Sequence, residues 1–381
     1  MTKVIGLDIS VLNERQRTGI GVYTDNLIKA LLTENKKDKF ILFGIATLAT
    51  FKYLKNIEFK NYPNVELQIY KMPAKFFRIS FLLWQKLNWP AIEKFIGPVD
   101  IFHSFNWYLP PQRESKVVAT VFDMTPLLYP QFHLKKTIQL DKIRLNRIKD
   151  RADLVITISE NSKKDFLKFS PQSWVEVAYP AVSDIFLKKI DKEKSKKVLK
   201  KYNLEPGYIL SVGTLEPRKN IEGVMKAFVK LASQGSTLCA YGLVILGAKG
   251  WMNEEICKLP KKLGIEDNVR FIGRVEDEDL PALYSNAFCL VYPSFYEGFG
   301  IPILEAQASG CPVITSAVSS LPEAGGQGAI YVDPYSVEDI IRGMREIGRI
   351  REKLVKEGFS NLKRFSWEES ARKLNLLYQR L

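Results

Sequence analysis

Histidine and cysteine are scarce in this 381-residue sequence. There are two histidines, His103 and His133, and the intervals between the four cysteines are too wide for a C-x-x-C hook. Because a structural zinc site needs closely spaced Cys or His ligands, the common zinc-binding classes are excluded. We interpret the cysteines as reduced and mostly buried thiols; they are Cys239, Cys257, Cys289 and Cys311.

Long apolar runs are also missing. No stretch reaches the ~18 residues that a membrane-spanning helix needs. The opening residues, MTKVIGLDISVL, enter a strand pattern without the residue order of a signal peptide. We therefore expect a cytoplasmic protein. Glycine and proline, at 23 and 19 residues, are near average usage, which excludes collagen-like, low-complexity and disordered classes.

Acidic residues are few in the first half of the chain. Residues 1–200 hold 34 Lys and Arg against 20 Asp and Glu, whereas residues 201–381 hold 22 of each. A one-sided basic surplus predicts that the N-terminal half meets an anionic partner such as phosphate, polyanion or a membrane surface. A solvated lysine-rich surface explains the surplus equally well. The neutral second half argues against nucleic acid as the sole partner.

One apolar segment bears on the membrane question. Residues 76–89, FFRISFLLWQKLNW, combine aromatic side chains with scattered cations. We favour a helix packed on a sheet, and an interfacial membrane helix is the alternative. Together with the basic surplus, that alternative predicts peripheral contact with an anionic membrane.

Short apolar runs alternate with longer helical patterns along the whole chain. The runs lie at 3–8, 40–43, 65–69, 101–103, 117–121 and 154–159, and again at 208–212, 243–246, 269–272, 288–292, 313–315 and 330–332. Nearly continuous apolar runs are typical of parallel strands covered by helices on both faces. We predict an α/β fold of two doubly wound, Rossmann-like domains facing each other across a cleft. A lysine-dense linker separates domain 1–182 from domain 183–365.

The strongest local signal is the sequence YPSFYEGFGIPILEAQASG, which follows a predicted strand. Glu297 lies in a glycine-flanked loop, Pro302 suits the start of a helix, and Gly310 is placed to end it. The amides of 298–301 would then face phosphate oxygens from a helix N-terminus. Glu305, about one turn into the helix, could accept hydrogen bonds from a vicinal diol. Ordinary surface acids, or a glycosidase pair, remain the alternatives.

A second motif, GTLEPRKN at 213–220, also lies between a predicted strand and a helix. Asn220 suits the N-cap position. Arg218 supplies a planar fork and Lys219 a point charge just before a positive helix end, which predicts a second place for a diphosphate. A surface Arg-Lys pair in a loop is the alternative.

These residues resemble glycosyltransferase family 4, whose members are retaining, metal-independent enzymes with the two-domain GT-B fold. The resemblance rests on Glu297 and Glu305 within EGFGIPILEA, on GTLEPRKN, and on VITSAVSSLPE at 313–323, and it extends over the whole chain. It implies a nucleoside-diphosphate sugar as donor, no metal and no cofactor. It also implies that the last helix, 366–381, crosses back to the N-terminal domain.

The resemblance further implies a role for each matching residue. Arg218 and Lys219 would hold the donor diphosphate, and Glu305 the ribose hydroxyls. Glu297 would hold the transferred sugar as the catalytic-site carboxylate. The remaining donor-side positions are Gly298, Phe299 and Gly300 at the helix start and Arg274 and Val275 beside the nucleobase.

The N-terminal half is similar to the family as well. Residues 12–23, LNERQRTGIGVY, resemble its glycine loop, in which Gly19 and Gly21 would precede a helix and approach the donor phosphates. A simple tight turn is the alternative. In VFDMTP, Phe122 stands where the family commonly has a histidine. Asp123 is therefore our first catalytic candidate on the acceptor side and His103 the second, and either could be structural.

Asp277-Glu-Asp279 fits a D-x-D metal motif, but we interpret it as carboxylates that favour a helix N-terminus. The resulting hypothesis is transfer of a sugar from a GDP- or UDP-sugar, with mannose as one candidate, to a glycan or lipid-linked glycan. Two alternatives stay open. One is a sugar-nucleotide isomerase or hydrolase of the same fold, and the other is a basic, non-enzymatic adaptor for a membrane or polyanion.

Overall fold

The computed structural model describes residues 2–14, 18–73, 83–84, 86–105, 108–235 and 242–381. Most of segment 76–89 and Cys239 lie outside these residues. The chain divides into two compact units. The first consists of Met1–Leu128, Lys135–Pro180 and Ser366–Leu381, and the second of Tyr129–Leu134 and Ala181–Phe365.

The first unit contains a seven-stranded parallel sheet. Its strands are β1 (Val4–Asp8), β2 (Lys39–Ala46), β3 (Val65–Lys71), β4 (Ile101–Ser104), β5 (Lys116–Val121), β6 (Leu154–Thr157) and β7 (Val175–Val177). Their spatial order is β3-β2-β1-β4-β5-β6-β7. The sequence analysis missed β7, a three-residue strand whose middle residue is the polar Glu176.

The second unit contains a six-stranded parallel sheet. Its strands are β8 (Ile209–Val212), β9 (Leu243–Leu246), β10 (Val269–Gly273), β11 (Cys289–Tyr292), β12 (Val313–Ser316) and β13 (Ala329–Val332). Each apolar run noted in the sequence overlaps an observed strand. The prediction of two doubly wound parallel-sheet domains is therefore confirmed.

Helices connect the strands in both units. They are α1 (Gly19–Glu34), α2 (Phe51–Lys55), α3 (Glu93–Ile96), α4 (Thr125–Leu128), α5 (Lys135–Arg151), α6 (Glu160–Phe169), α7 (Asp184–Leu187), α8 (Lys192–Lys201), α9 (Ile221–Ser233), α10 (Glu254–Leu263), α11 (Leu280–Ser285), α12 (Ile301–Ala308), α13 (Leu321–Gly325), α14 (Val337–Leu362) and α15 (Trp367–Arg380). Among the described residues, none of these helices combines the length and apolar content that a bilayer crossing requires.

Strand order in the second sheet determines where a site can form. The sheet runs β10-β9-β8-β11-β12-β13, so the chain leaves β8 toward one edge and returns at β11 to build the other. Ligands of open α/β sheets bind at such a switch point, outside the carboxyl ends of the strands. The two loops that begin there are 213–220 after β8 and 293–300 after β11. These are the two motifs that the sequence analysis selected.

The apolar residues of β8, β9 and β11 pack against α9 and α14 in the core of this unit. Ile209, Phe228, Ile245 and Val291 are each 1% exposed or less. Burial of one such side chain contributes about 1.5–3 kcal/mol. The core therefore holds the strand ends, and the loops that follow them, in fixed positions.

Two glycines bring the loop after β8 close to the loop after β9. Gly247 has φ +147°, and a Cβ atom on it would lie 1.9 Å from the carbonyl oxygen of Gly213. The amide of Gly213 donates to the carbonyl of Leu246 at 2.8 Å. No other residue type fits this approach, so Gly247 fixes the start of the loop that carries Arg218.

We predict that Gly247→Ala destabilises the protein by at least about 3 kcal/mol, because backbone strain adds to a backbone clash. Gly264→Ala is the matched control, since Gly264 has φ +66° but open space around its added methyl group. It should cost only about 1–2 kcal/mol. Urea denaturation measures both losses, and equal losses would contradict the close-approach argument.

Candidate functional site

Asn220 ties three loops together at the switch point of the second sheet. Its side-chain amide donates to the carbonyl of Pro293 at 3.1 Å and to the carbonyl of Pro334 at 2.7 Å. Its side-chain oxygen accepts from the amide of Gly223 at 3.2 Å, which confirms the predicted N-cap of α9. The loops after β8, β11 and β13 are thus held against one another.

The two sequence motifs meet at Glu297. One carboxylate oxygen accepts from Nζ of Lys219 at 2.6 Å and from the hydroxyl of Tyr292 at 2.7 Å. The other accepts from Nη1 of Arg218 at 2.8 Å. The side chains of Arg218, Lys219 and Glu297 are only 9–12% exposed. The structure therefore brings together the two cations and the carboxylate that the sequence analysis assigned to one site.

The charges in this cluster depend on one another. Burial alone would raise the pKa of Glu297, but Arg218 and Lys219 outweigh it and hold that pKa at about 2. Burial lowers the pKa of Lys219, against the opposing attraction of Glu297. Removing a partner from such a buried pair leaves an uncompensated charge, which costs about 3–5 kcal/mol.

Glu216 is a member of the cluster that the sequence analysis missed. It is 1% exposed, and its carboxylate accepts from Nη2 of Arg218 at 2.6 Å. Burial raises the pKa of Glu216, whereas Arg218 and Lys219 lower it. The only signal in the sequence was an acidic residue inside GTLEPRKN. Glu216 and Glu297 together orient the guanidinium of Arg218.

The loop before α12 is fixed through its backbone. The hydroxyl of Ser320 donates to the carbonyls of Glu297 at 2.8 Å and Phe299 at 3.0 Å. The amide of Glu297 donates to the hydroxyl oxygen of Ser319 at 3.1 Å. Both serines come from the VITSAVSSLPE stretch. Gly300, at the N-cap of α12, has φ +112°, which favours glycine.

Helix α12 contains the second predicted carboxylate and ends as expected. Glu305 accepts from the hydroxyl of Tyr284 at 2.8 Å. Burial raises the pKa of Glu305 to about 7, against the effect of this hydrogen bond, and Asp277 raises it further. Gly310 has φ +66° just beyond the helix, which confirms its role in ending it. Neither Tyr284 nor Tyr292 was selected from the sequence.

Arg274 and Val275 lie elsewhere on the same unit. They follow β10, the edge strand two positions from β8. Val275 is buried at 7% exposure. The role of these two residues beside a nucleobase stays a prediction.

Gly19 and Gly21 differ from the expectation in one respect. Helix α1 begins at Gly19, so both glycines lie in its first turn and not in a loop before it. The helix can extend this far because the amide of Val22 donates to the carbonyl of Thr18 at 2.8 Å. Residues 15–17 of the glycine loop lie outside the described residues.

His103 is enclosed within the first unit. It is 0% exposed, and its ring nitrogens form hydrogen bonds with the hydroxyls of Tyr378 at 2.6 Å and Thr120 at 2.8 Å. Phe105 stacks on the ring with centroids 4.0 Å apart. Burial lowers the pKa of His103 to about 3. This environment favours the structural alternative, in which a neutral imidazole joins β4 to α15.

Asp123 is partly exposed at the end of β5. One carboxylate oxygen accepts from the amide of Thr125 at 2.9 Å. This hydrogen bond forms a turn at the start of α4. The neighbouring Phe122 packs edge-on against Tyr23 with centroids 5.4 Å apart. The role of Asp123 toward an acceptor stays a prediction.

The acidic run 277–279 directly precedes helix α11, as the sequence predicts. Asp279 occupies the N-cap position of α11, but its side chain makes no capping hydrogen bond. Its carboxylate instead accepts from Nζ of Lys201 at 2.6 Å and from the hydroxyl of Tyr202 at 2.8 Å. Asp279 therefore lies at the helix N-terminus as predicted, but its side chain pairs with Lys201 and forms no capping hydrogen bond. Within the described part of the chain, no cluster of His, Cys, Asp and Glu could hold a metal ion.

Two parallel-sheet units, with a buried cation and carboxylate cluster at the switch point of the second, agree with the GT-B fold expected from the sequence. The sequence profile described as "Glycosyl transferases group 1" matches residues 191–358. The chain belongs to this family, because a mannosyltransferase matches it at 32% identity over almost the whole length of both proteins.

That relative is the O-antigen chain mannosyltransferase B of Escherichia coli. It is 32% identical over 362 residues, which cover 92% of this chain and 93% of the relative. The O-antigen chain mannosyltransferase RfbU of Salmonella typhimurium is 29% identical, with 76% and 79% covered. The fold is similar to that of sucrose-phosphate synthase from Thermosynechococcus elongatus, with a TM-score of 0.75, 22% identity, and 99% and 98% covered.

We predict that Glu305→Gln stabilises the protein at pH 8 and has a smaller effect near pH 5. The carboxyl of Glu305 titrates with a pKa of about 7 in the folded protein, above its ordinary value of 4.5. The folded state therefore holds this proton more tightly than the unfolded state. Relative to a neutral side chain, the stability that Glu305 confers is complete below about pH 4.5 and is lost as the pH rises through 7.

Thermal unfolding between pH 5 and pH 8 measures this difference. Tyr284→Phe is the control, since loss of the hydrogen bond that lowers the pKa of Glu305 should move the midpoint to higher pH. A gain from Glu305→Gln that is constant with pH would contradict the titration.

Proposed function

We propose that this protein is a retaining mannosyltransferase that uses a nucleoside-diphosphate sugar, GDP- or UDP-linked, without a metal or another cofactor. The acceptor is a hydroxyl of a growing polysaccharide or lipid-linked glycan. The observation that carries the proposal is the meeting of Arg218, Lys219 and Glu297 at the switch point of the second sheet. Both O-antigen relatives are mannosyltransferases, which supports the choice of mannose and of a polysaccharide acceptor.

Departure of the diphosphate requires stabilisation of growing negative charge. The guanidinium of Arg218 and the ammonium of Lys219 are fixed in a site of low exposure, where charge stabilisation is stronger than in water. The N-terminus of α12, which begins after Gly300, adds backbone amides and a helix dipole. Preorganised positive charge of this kind would stabilise the departing diphosphate, as a bound metal ion does in other enzymes.

Glu297 would orient the transferred sugar. With a pKa of about 2 it is ionised at every physiological pH, so it can accept hydrogen bonds from sugar hydroxyls and stabilise positive charge at the anomeric carbon. The acceptor hydroxyl would attack from the face that the diphosphate leaves, and a phosphate oxygen would take its proton. This route retains the anomeric configuration.

Glu305 would hold the ribose of the donor. It lies one turn into α12, beyond the helix start assigned to the phosphates. Tyr284 engages only one of its carboxylate oxygens, Oε2. A carboxylate in this position can accept from both hydroxyls of a vicinal diol. The hydroxyl of Tyr284 would keep the carboxylate turned in one direction.

The first unit would receive the acceptor, with Asp123 as the polar candidate at the end of β5. The basic surplus of residues 1–200 would bring the protein to an anionic membrane surface, where lipid-linked acceptors are found. Contact of this kind would be peripheral and electrostatic.

We predict that Arg218→Ala, Lys219→Ala and Glu297→Ala each lower mannosyl transfer by at least ~100-fold, as loss of preorganised charge stabilisation does. Lys226→Ala is the control, because Lys226 is an exposed cation on α9 paired with Glu222. The assay incubates GDP-mannose or UDP-sugars with a lipid-linked mannan acceptor. Near-wild-type transfer by all three variants would end the assignment, and rapid turnover of donor without acceptor would favour a hydrolase.

We predict that the protein sediments with vesicles containing phosphatidylglycerol and not with phosphatidylcholine vesicles. Binding should fall steeply between 50 and 300 mM salt, roughly as expected when a Debye length shrinks below ~10 Å. Binding that is equal for both lipids would rule out the electrostatic contact.

A further inference from the structure

Six residues from the middle of the chain belong to the second unit. The segment Tyr129–Leu134 lies between α4 and α5, both of which belong to the first unit. Its turn, Pro130–Phe132, begins with the rigid proline and closes when the amide of Phe132 donates to the carbonyl of Tyr129 at 3.1 Å. The sequence pattern alone does not indicate that this segment belongs to the second unit.

Its aromatic rings pack on the loop that precedes Glu297. Phe132 stacks on Phe295 with centroids 5.4 Å apart and planes 12° apart. Tyr129 contacts Tyr296 with centroids 5.2 Å apart. Tyr129 and Phe132 also stack on each other at 6.1 Å. The four rings form one group, which we call the aromatic clamp.

Two hydrogen bonds join Arg218 to the backbone of the clamp residues Phe295 and Tyr296. The amide of Phe295 donates to the carbonyl of Arg218 at 3.0 Å. In return, Nη1 of Arg218 donates to the carbonyl of Tyr296 at 2.6 Å. The guanidinium is therefore positioned by this backbone as well as by Glu216 and Glu297.

Trp251 holds the segment that carries Phe132 through a hydrogen bond and a ring contact. Nε1 of Trp251 donates to the carbonyl of Phe132 at 2.6 Å. The ring of Trp251 also lies against His133, with centroids 5.6 Å apart. Trp251 belongs to the connection between β9 and α10, so the clamp is anchored to the loop beside the one that carries Arg218.

We propose that Tyr129 and Phe132 are positioning residues for Arg218, and that through it they set the affinity of the site for a nucleoside diphosphate. The inference rests on the proposed function, in which Arg218 holds the donor diphosphate. Phe132 and Tyr129 are partly exposed and lie outside the apolar core of the unit. Their loss should therefore move Arg218 without unfolding the protein, and a misplacement of about 1 Å costs up to ~100-fold at such a site.

The test measures the dissociation constant of GDP and of UDP by calorimetry and follows whichever binds the unaltered protein more tightly. Phe132→Ala should weaken binding roughly tenfold, and Phe132→Tyr, which keeps the ring, should restore it. Gln131→Ala is the matched control, an exposed change in the same turn that leaves the stacking intact. Phe132→Leu keeps an apolar side chain of similar bulk but removes the flat ring. If the alanine variant folds poorly, the same weakening of binding is measured with this leucine variant.

The decisive comparison is made in the Arg218→Ala background. If Phe132 acts through Arg218, Phe132→Ala should cause no further weakening there. An equal loss in both backgrounds, or no loss in the unaltered protein, overturns the inference while the proposed function stands. Binding of neither nucleotide to the unaltered protein, or unchanged binding by Arg218→Ala, overturns the proposed role of Arg218 and the inference with it.

Discussion

The ionic contact of Glu297 with Arg218 and Lys219 is the constraint on which the rest of the site depends. Three charged groups lie almost out of water, where an unpaired charge would cost several kcal/mol. The surrounding structure supplies a partner for each one. Glu216 accepts from the guanidinium, and the hydroxyl of Tyr292 shares a carboxylate oxygen with Lys219. These hydrogen bonds hold the charged groups in one fixed arrangement.

The parallel sheet explains why such a cluster can exist. Strands β8 and β11 are neighbours in space, and the chain departs from them in opposite directions, so no connection covers their carboxyl ends. Two loops can therefore approach each other there. Asn220 joins them by hydrogen bonds to two carbonyls. A close approach at Gly247 fixes the start of the first loop.

The two units use their polar residues differently. In the second unit, buried polar side chains converge on one place and perturb one another's pKa values, as groups at functional sites do. In the first unit, His103 is sealed by hydrogen bonds to Thr120 and Tyr378, and Asp123 holds a turn. Phe122, where the resemblance implies a histidine, packs against Tyr23.

The sequence by itself determined the alternation of strands and helices, the caps at Asn220 and Gly310, and the two motifs that meet at Glu297. These features depend on residue period and turn chemistry, which act over a few neighbouring residues. Only the tertiary structure decided that Arg218 and Glu297, 79 residues apart, share a hydrogen bond, and that His103 is sealed inside. It also decided the parts played by Glu216 and by the aromatic clamp. Strand order and burial arise from packing between distant segments, and no local pattern contains that information.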